Sequence, residues 1–255
     1  MILNCVEAGE GAAPAVVLLH GLFGAARSFG AIQRRLAGAH RVLALDLRNH
    51  GASPHASGMN YQALAADVLE TLRGRGALPC ALVGHSMGGK TAMRAALDAP
   101  DAVARLLVAD IAPVVYPPAF RDYLRALAAV PLVPGLTRGQ AEEALRAAVP
   151  DASVRGFLLQ NLRLGVQPGW RFGLAEIAEG LGDVESWGAP VDARYAGPTL
   201  FVAGARSDYI RREHRPAIRA LFPAARFVTL KGAGHWLHAD NPEGFVSIVS
   251  SFVRS

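Results

Sequence analysis

Gly84-His85-Ser86-Met87-Gly88 is the stretch that most narrows what this chain can become. It lies between an apolar, strand-like run, Cys80-Ala81-Leu82-Val83, and a helical stretch from Met87 to about Asp98 that Ala99-Pro100 stops. A serine held between two glycines at a strand-to-helix junction sits on a sharp turn, because glycine lets the backbone pass where a Cβ would clash. The turn lifts the hydroxyl above the sheet edge, and the helix beneath offers unpaired N–H groups to developing negative charge.

The rest of the chain repeats the same alternation. Val16-Val17-Leu18-Leu19 is wholly apolar and predicts a buried parallel strand. A helix over Ser28–Leu36, a strand over Arg41–Leu45, a Gly/Pro/Ser-rich loop over Arg48–Asn60 and a helix over Tyr61–Arg73 follow, and a strand over Arg105–Ala109 comes after the Ser86 unit. The order predicts a mostly parallel, doubly wound α/β sheet with helices on both faces. At Pro113 the alternation breaks into helical pieces separated by prolines, and strands resume at Thr199–Ala203 and Ala225–Leu230, with helices over Glu213–Leu221 and Pro242–Val253. The expectation is a core domain of residues 1–112 and 197–255 with a helical lid, 113–196, inserted at a strand end, where α/β proteins build their pockets.

Chemistry follows from the loops that end these strands. Ser86 is the expected nucleophile. In Gly232-Ala233-Gly234-His235-Trp236, His235 follows the last strand and is the expected general base, since imidazole titrates near working pH and this fold places its base last. His85, His50, His214 and His238 are assigned to turn, loop or surface positions. His20-Gly21-Leu22-Phe23-Gly24 closes the first buried strand; a main-chain N–H of Leu22 or Phe23, with that of Met87, would form an oxyanion hole. Two carboxylates compete to orient His235. Asp110 ends the strand after the nucleophile helix, and Asp208 follows the strand that begins at Thr199. His20, Trp170, Phe172 and Trp236 are candidate pocket residues. Arg48-Asn49-His50 is expected to brace its loop, and Lys90 to be structural or rim-forming.

Charge and composition bound the alternatives. The net charge of +5 comes from arginines scattered among acidic residues; even the densest group, Arg206, Arg211, Arg212 and Arg215, is interrupted by Asp208 and Glu213. That argues against nucleic acid and suits an anionic small-molecule substrate. No apolar run long enough for a membrane span and no signal-peptide pattern is visible, so no membrane insertion and a cytoplasmic location are expected. Cys5 and Cys80 have no metal-like spacing, and neither metal nor cofactor is expected. A monomer or homodimer is anticipated.

Taken together, His20-Gly-Leu-Phe-Gly24, Asp46-Leu-Arg-Asn-His-Gly-Ala-Ser53, Gly84-His-Ser-Met-Gly-Gly-Lys90, Asp110-Ile-Ala-Pro113 and Ala233-Gly-His-Trp236 resemble the bacterial YbfF-type esterases of the α/β-hydrolase superfamily. The likeness runs from Val16 to the C-terminus and is weakest in the lid, although Gly169-Trp-Arg-Phe172 is also similar to that family's lid. It implies the α/β-hydrolase fold, carboxylesterase activity through an acyl-enzyme, small ester or acyl-CoA thioester substrates, and an acid at Asp110. Because Asp208 is acidic too, both remain candidates. A dehalogenase or epoxide hydrolase on this fold would need a carboxylate where Ser86 stands. A cofactor-free haloperoxidase or a C–C bond hydrolase would share the same residues, and a non-catalytic binding homologue would be expected to have lost one.

Overall fold

The computed structural model describes residues 1–11 and 14–254. In chain order the elements are β1 (Cys5–Ala8), β2 (Ala15–Leu19), α1 (Gly30–Leu36), β3 (Val42–Leu45), α2 (Tyr61–Gly74), β4 (Cys80–His85), α3 (Met87–Asp98) and β5 (Val103–Ala109). The segment after β5 carries α4 (Arg121–Ala129), α5 (Arg138–Leu145), α6 (Ala152–Leu159), the short hairpin β6 (Leu162–Arg163) and β7 (Gly169–Trp170), α7 (Leu174–Glu179) and α8 (Leu181–Glu185). The core resumes with β8 (Thr199–Gly204), α9 (Arg215–Leu221), β9 (Ala225–Leu230), α10 (Leu237–Asp240) and α11 (Pro242–Arg254).

The main sheet runs β1-β3-β2-β4-β5-β8-β9. Every pairing is parallel except β1 with β3. Apolar side chains point both ways from its central strands. Val17, Leu19, Leu43, Leu45, Leu82 and Leu106 face one core, which α2 and α3 close; Val16, Leu18, Val42, Ala44, Val83 and Leu107 face the other, which α1 and α11 close. Continuous apolar runs rather than alternation are what a sheet covered on both faces requires. This is the expected doubly wound architecture.

Two features depart from the sequence expectation. β1 is an antiparallel edge strand in a segment given no structure from sequence; it is only four residues long and half exposed, so no apolar pattern marks it. The inserted segment is not wholly helical, since β6 and β7 form a hairpin that places Trp170 opposite Leu162. Leu124, Leu127, Ala141, Leu145, Leu158 and Ile177 carry its helices onto the same core that α2 and α3 cover. β2, β4, β5, β8 and β9 run parallel and so end on one side of the sheet, where Phe23 in the loop after β2 meets Asn161 and Phe172 of this segment.

Candidate active site

Ser86 joins β4 to α3 with φ 53° and ψ −121°, a backbone conformation that costs a non-glycine residue about 1–3 kcal/mol. The surroundings enforce it. Ser86 N–H donates to Ala109 C=O at 3.0 Å, and Lys90 N–H donates to Ser86 C=O at 3.0 Å. A Cβ at Gly88 would lie 2.3 Å from the Leu19 carbonyl oxygen, so α3 packs this tightly on β2 only with glycine there.

Asp110, at the end of β5, is fully buried and also has positive φ, 53°. Its Oδ1 accepts the Gly204 N–H at 3.0 Å and its Oδ2 accepts the Ser207 hydroxyl. The same Oδ2 meets His235 Nδ1 at 2.8 Å. A proton on Nδ1 leaves Nε2 as the free basic nitrogen. The strand order places Ser86, Asp110, the Gly204–Ser207 brace and His235 on the successive neighbours β4, β5, β8 and β9. Asp208 lies elsewhere: it is exposed, and its backbone carbonyl takes an N–H of Arg211 at 3.1 Å. Of the two candidate carboxylates, only Asp110 meets His235.

The Gly21–Phe23 turn lies against the nucleophile; a Cβ on Gly21 would come within 3.1 Å of Ser86 Cβ. Phe23, at φ 59°, donates its N–H to His50 Nε2 at 3.2 Å. Among the described residues the N–H groups of Leu22 and Met87 have no intramolecular acceptor, so of the expected pair Leu22 or Phe23 it is Leu22 that is available. His20 borders the cavity, and both its ring nitrogens are committed within the protein: Nδ1 donates to Gly21 C=O at 2.8 Å and Nε2 accepts Leu47 N–H at 3.0 Å, which leaves no polar atom for a ligand.

The histidines assigned to loops and surface are mostly interior. His50 is wholly buried, and loss of hydration pushes its pKa down to about 3; neutral, it can accept from Phe23. His85 projects beneath the catalytic loop, not away from it: its Nε2 donates to His235 C=O at 2.7 Å and its ring lies 4.7 Å from that of His235. Burial holds its pKa well below the usual imidazole value. His238 packs on Phe29 and His85, and burial lowers its pKa to about 4. Asp46 explains the loop string that begins with it: its carboxylate accepts from Ala26 N–H at 2.7 Å, Ala52 N–H at 2.9 Å and Asn4 at 2.8 Å. Arg48 pairs with buried Asp67 at 2.6 Å, and Asn49 holds Ala56 through both backbone groups, so this loop is braced as expected.

Two cavity lobes meet at Ser86. One, of about 220 Å³, is lined by His235, Trp236, Tyr123, Val154, Phe157 and Leu158 among others. The other, of about 490 Å³, is lined by Met87, Lys90, Ile111, Tyr61, Tyr116 and Arg211 among others. Leu22, Ala119, Phe120 and Tyr209 border both. Trp236 therefore reaches the cavity. Trp170 and Phe172 do not: they stack on each other with centroids 5.4 Å apart, Trp170 donates to Leu127 C=O at 3.1 Å, and Phe172 packs on Phe23. Sequence reasoning also missed Ser207 and Tyr209. The Tyr209 ring stacks on His235 at 4.1 Å, and the only sequence hint was their place beside the acidic Asp208.

A parallel sheet that presents a strained serine, a histidine and a buried carboxylate at successive strand ends defines a nucleophile-elbow hydrolase. The chain matches the alpha/beta hydrolase family over residues 16–248 and belongs to it. It is 41% identical over 254 residues to the mouse sn-1-specific diacylglycerol lipase ABHD11, covering 96% of this chain and 82% of that one. It is 34% identical over 240 residues to Escherichia coli esterase YbfF, covering 94% and 92%. A solved marine microorganism esterase superposes with a TM-score of 0.94 at 34% identity, covering 98% of this chain and 99% of that one.

Proposed function

We propose that this chain is a serine esterase that cleaves carboxylic esters, and acyl thioesters by the same route, through Ser86, His235 and Asp110. The observation that carries the reading is the 2.8 Å contact of His235 Nδ1 with a buried carboxylate, on a loop bordering the cleft that contains Ser86. Ester hydrolysis is the activity named for the E. coli relative and lipase activity that named for the mouse relative, which supports the same class here.

In the first half-reaction His235 Nε2 takes the Ser86 hydroxyl proton as Oγ bonds to the carbonyl carbon. The Leu22 and Met87 N–H groups hold the resulting oxyanion, worth about 3–4 kcal/mol per donor in other acyl-transfer enzymes. Asp110 stabilises the imidazolium without taking its proton. The carbon–oxygen or carbon–sulfur bond then breaks, and His235 returns the proton to the departing alcohol or thiol. Water, deprotonated by His235, cleaves the acyl-enzyme and regenerates Ser86. Residues 113–196 are the lid, bordering both lobes through Ala119 and Phe120 and the smaller one through Phe157.

Hydrolysis of p-nitrophenyl esters of graded chain length by wild type and Ser86→Ala tests the proposal. Turnover that Ser86→Ala abolishes, with stoichiometric labelling of wild type by a serine-directed phosphonate, is expected. A folded wild type inert to both reagents would overturn it.

A further inference from the structure

The wall of the larger lobe holds a cation that the reaction above does not use. Lys90 lies one turn along α3 from Ser86 and is only 1% exposed. Its Nζ donates to Ser186 C=O at 2.6 Å and sits 5.0 Å and 5.4 Å from the ring centroids of Tyr116 and Tyr61. Among the described residues no carboxylate forms an ion pair with it. Glu185, the acid that acts on it through space, has an oxygen committed to Ala119 N–H at 2.9 Å. An ammonium has three protons to donate, and among the described residues only the Ser186 carbonyl accepts one, the two rings giving cation–π contact in place of a hydrogen bond. Burying a charge without a counter-ion is costly, so such a residue beside a cavity points to an anion that arrives with the ligand. Burial lowers the Lys90 pKa to about 7, so the amine is partly protonated near neutrality and an arriving carboxylate would raise its pKa and complete the charge. Tyr61, Tyr116, Tyr209, Glu185, Asp208, Arg211 and His214 are the other titratable groups on this lobe; Arg211 adds a second positive charge, and Glu185 and Asp208 carry the negative ones.

The two lobes are not equivalent chemically. His235 must hand a proton to the leaving group, and it lines the smaller lobe but not the larger. The larger lobe thus receives the acyl group that stays on Ser86. Ser86 and Lys90 line the same lobe, so an acyl chain carried by Ser86 shares that cavity with the Lys90 side chain.

Resting on the esterase reading above, we propose that Lys90 is a specificity residue that binds a terminal carboxylate on the acyl chain, making half-esters of short dicarboxylic acids preferred substrates. The test compares monoethyl succinate, glutarate and adipate with ethyl butanoate, pentanoate and hexanoate, following ethanol release. Wild type is expected to favour the half-ester at least tenfold in kcat/KM at one chain length or more, and Lys90→Met to lose at least tenfold more on that half-ester than on its neutral partner. Inhibition of wild type by free adipate against hexanoate supplies the same comparison without a variant, with adipate expected to bind more tightly. Equal rates for each pair in wild type, or an equal loss on both esters in Lys90→Met, would overturn the proposal and leave Lys90 as a strut between α3 and Ser186. Turnover of the neutral esters keeps the esterase reading separate: inertness toward every ester tested would instead count against that reading.

Discussion

The loops at the ends of the sheet strands and the inserted segment above them are built on different principles. On the sheet side each candidate catalytic group is held by directional bonds: Asp110 by Gly204 and Ser207, His235 by Asp110 and His85, and the Gly21–Phe23 turn by His20 and His50. The insertion combines ring packing, with Phe172 between Trp170 and Phe23 and Phe120 against Phe23 and Tyr123, with polar ties to the core away from the reacting groups, such as Asn161 to Phe23 C=O, Tyr61 to Val184 C=O and Lys90 to Ser186 C=O, each at 2.6 Å. Directional bonds fix atoms to the tolerance chemistry needs, whereas apolar contact tolerates displacement and mainly excludes water. The difference separates residues whose loss affects rate from residues whose loss affects stability.

The largest effect should come from the sheet side. Asp110→Asn would place an amide N–H where His235 Nδ1 now donates and reverse the imidazole tautomer, so kcat should fall by about 10⁴-fold with little change in the melting temperature. Steady-state turnover and a thermal melt on one preparation decide it. A fall under tenfold would break the assignment of the acid. On the insertion side, Phe172→Ala should do the reverse. Phe172 is 3% exposed, and removing a buried phenyl costs about 3–5 kcal/mol. At roughly 2–4 °C per kcal/mol for a chain of this size, the melt should drop by about 10 °C. A variant that melts like wild type but turns over poorly would erase the contrast between the two regions.

What could be read in the sequence follows the same division. Ser86 and His235 were legible because close approach at Gly88 and a loop after the final strand demand particular residue types at set positions. Asp110 and Asp208 were indistinguishable because both follow strands; they differ in whether Gly204 N–H and Ser207 point at the carboxylate, which only strand pairing decides. The interior histidines were misread for a related reason. His85, His238 and Phe29 meet across long sequence separations, and no periodic pattern announces a ring stack. Trp170 and Phe172 look like pocket residues in sequence, but the unanticipated hairpin holds them in the packing between the inserted segment and Phe23.

The buried histidines sharpen the comparison through pH. His238 is neutral when folded, with its pKa lowered to about 4 by burial, against about 6.5 in the unfolded chain. Between those values the unfolded state binds the proton that the native state refuses, so acidification favours unfolding. Stability should therefore decline as pH falls from about 6.5 toward 4, this residue alone contributing roughly 1 kcal/mol per pH unit within that window. His238→Phe keeps the ring among Phe29, Phe245 and His85 and removes a buried Nδ1 that has no hydrogen-bond partner. Urea unfolding at pH 7, 6 and 5 should give a shallower decline for the variant; parallel curves would show that His238 is not the group being protonated.

The smallest effect is the most discriminating. Asp208 is exposed, sits two residues beyond Arg206 in a loop with mixed charge, and offers Arg211 only its backbone carbonyl, which Asp208→Asn preserves. A solvated carboxylate with no ordered ion pair contributes little to stability. Turnover of neutral esters and the melt should both stay within experimental reach of wild type, with kcat/KM changed by about twofold at most. Asp208 nevertheless borders the lobe that contains Lys90 and Arg211, so removing its charge should make that lobe more positive. Any change should thus appear as a lower KM for carboxylate-bearing substrates and not in kcat. A collapse of kcat instead would mean that the loop after β8 moves on substrate binding and that Asp208, not Asp110, then orients His235.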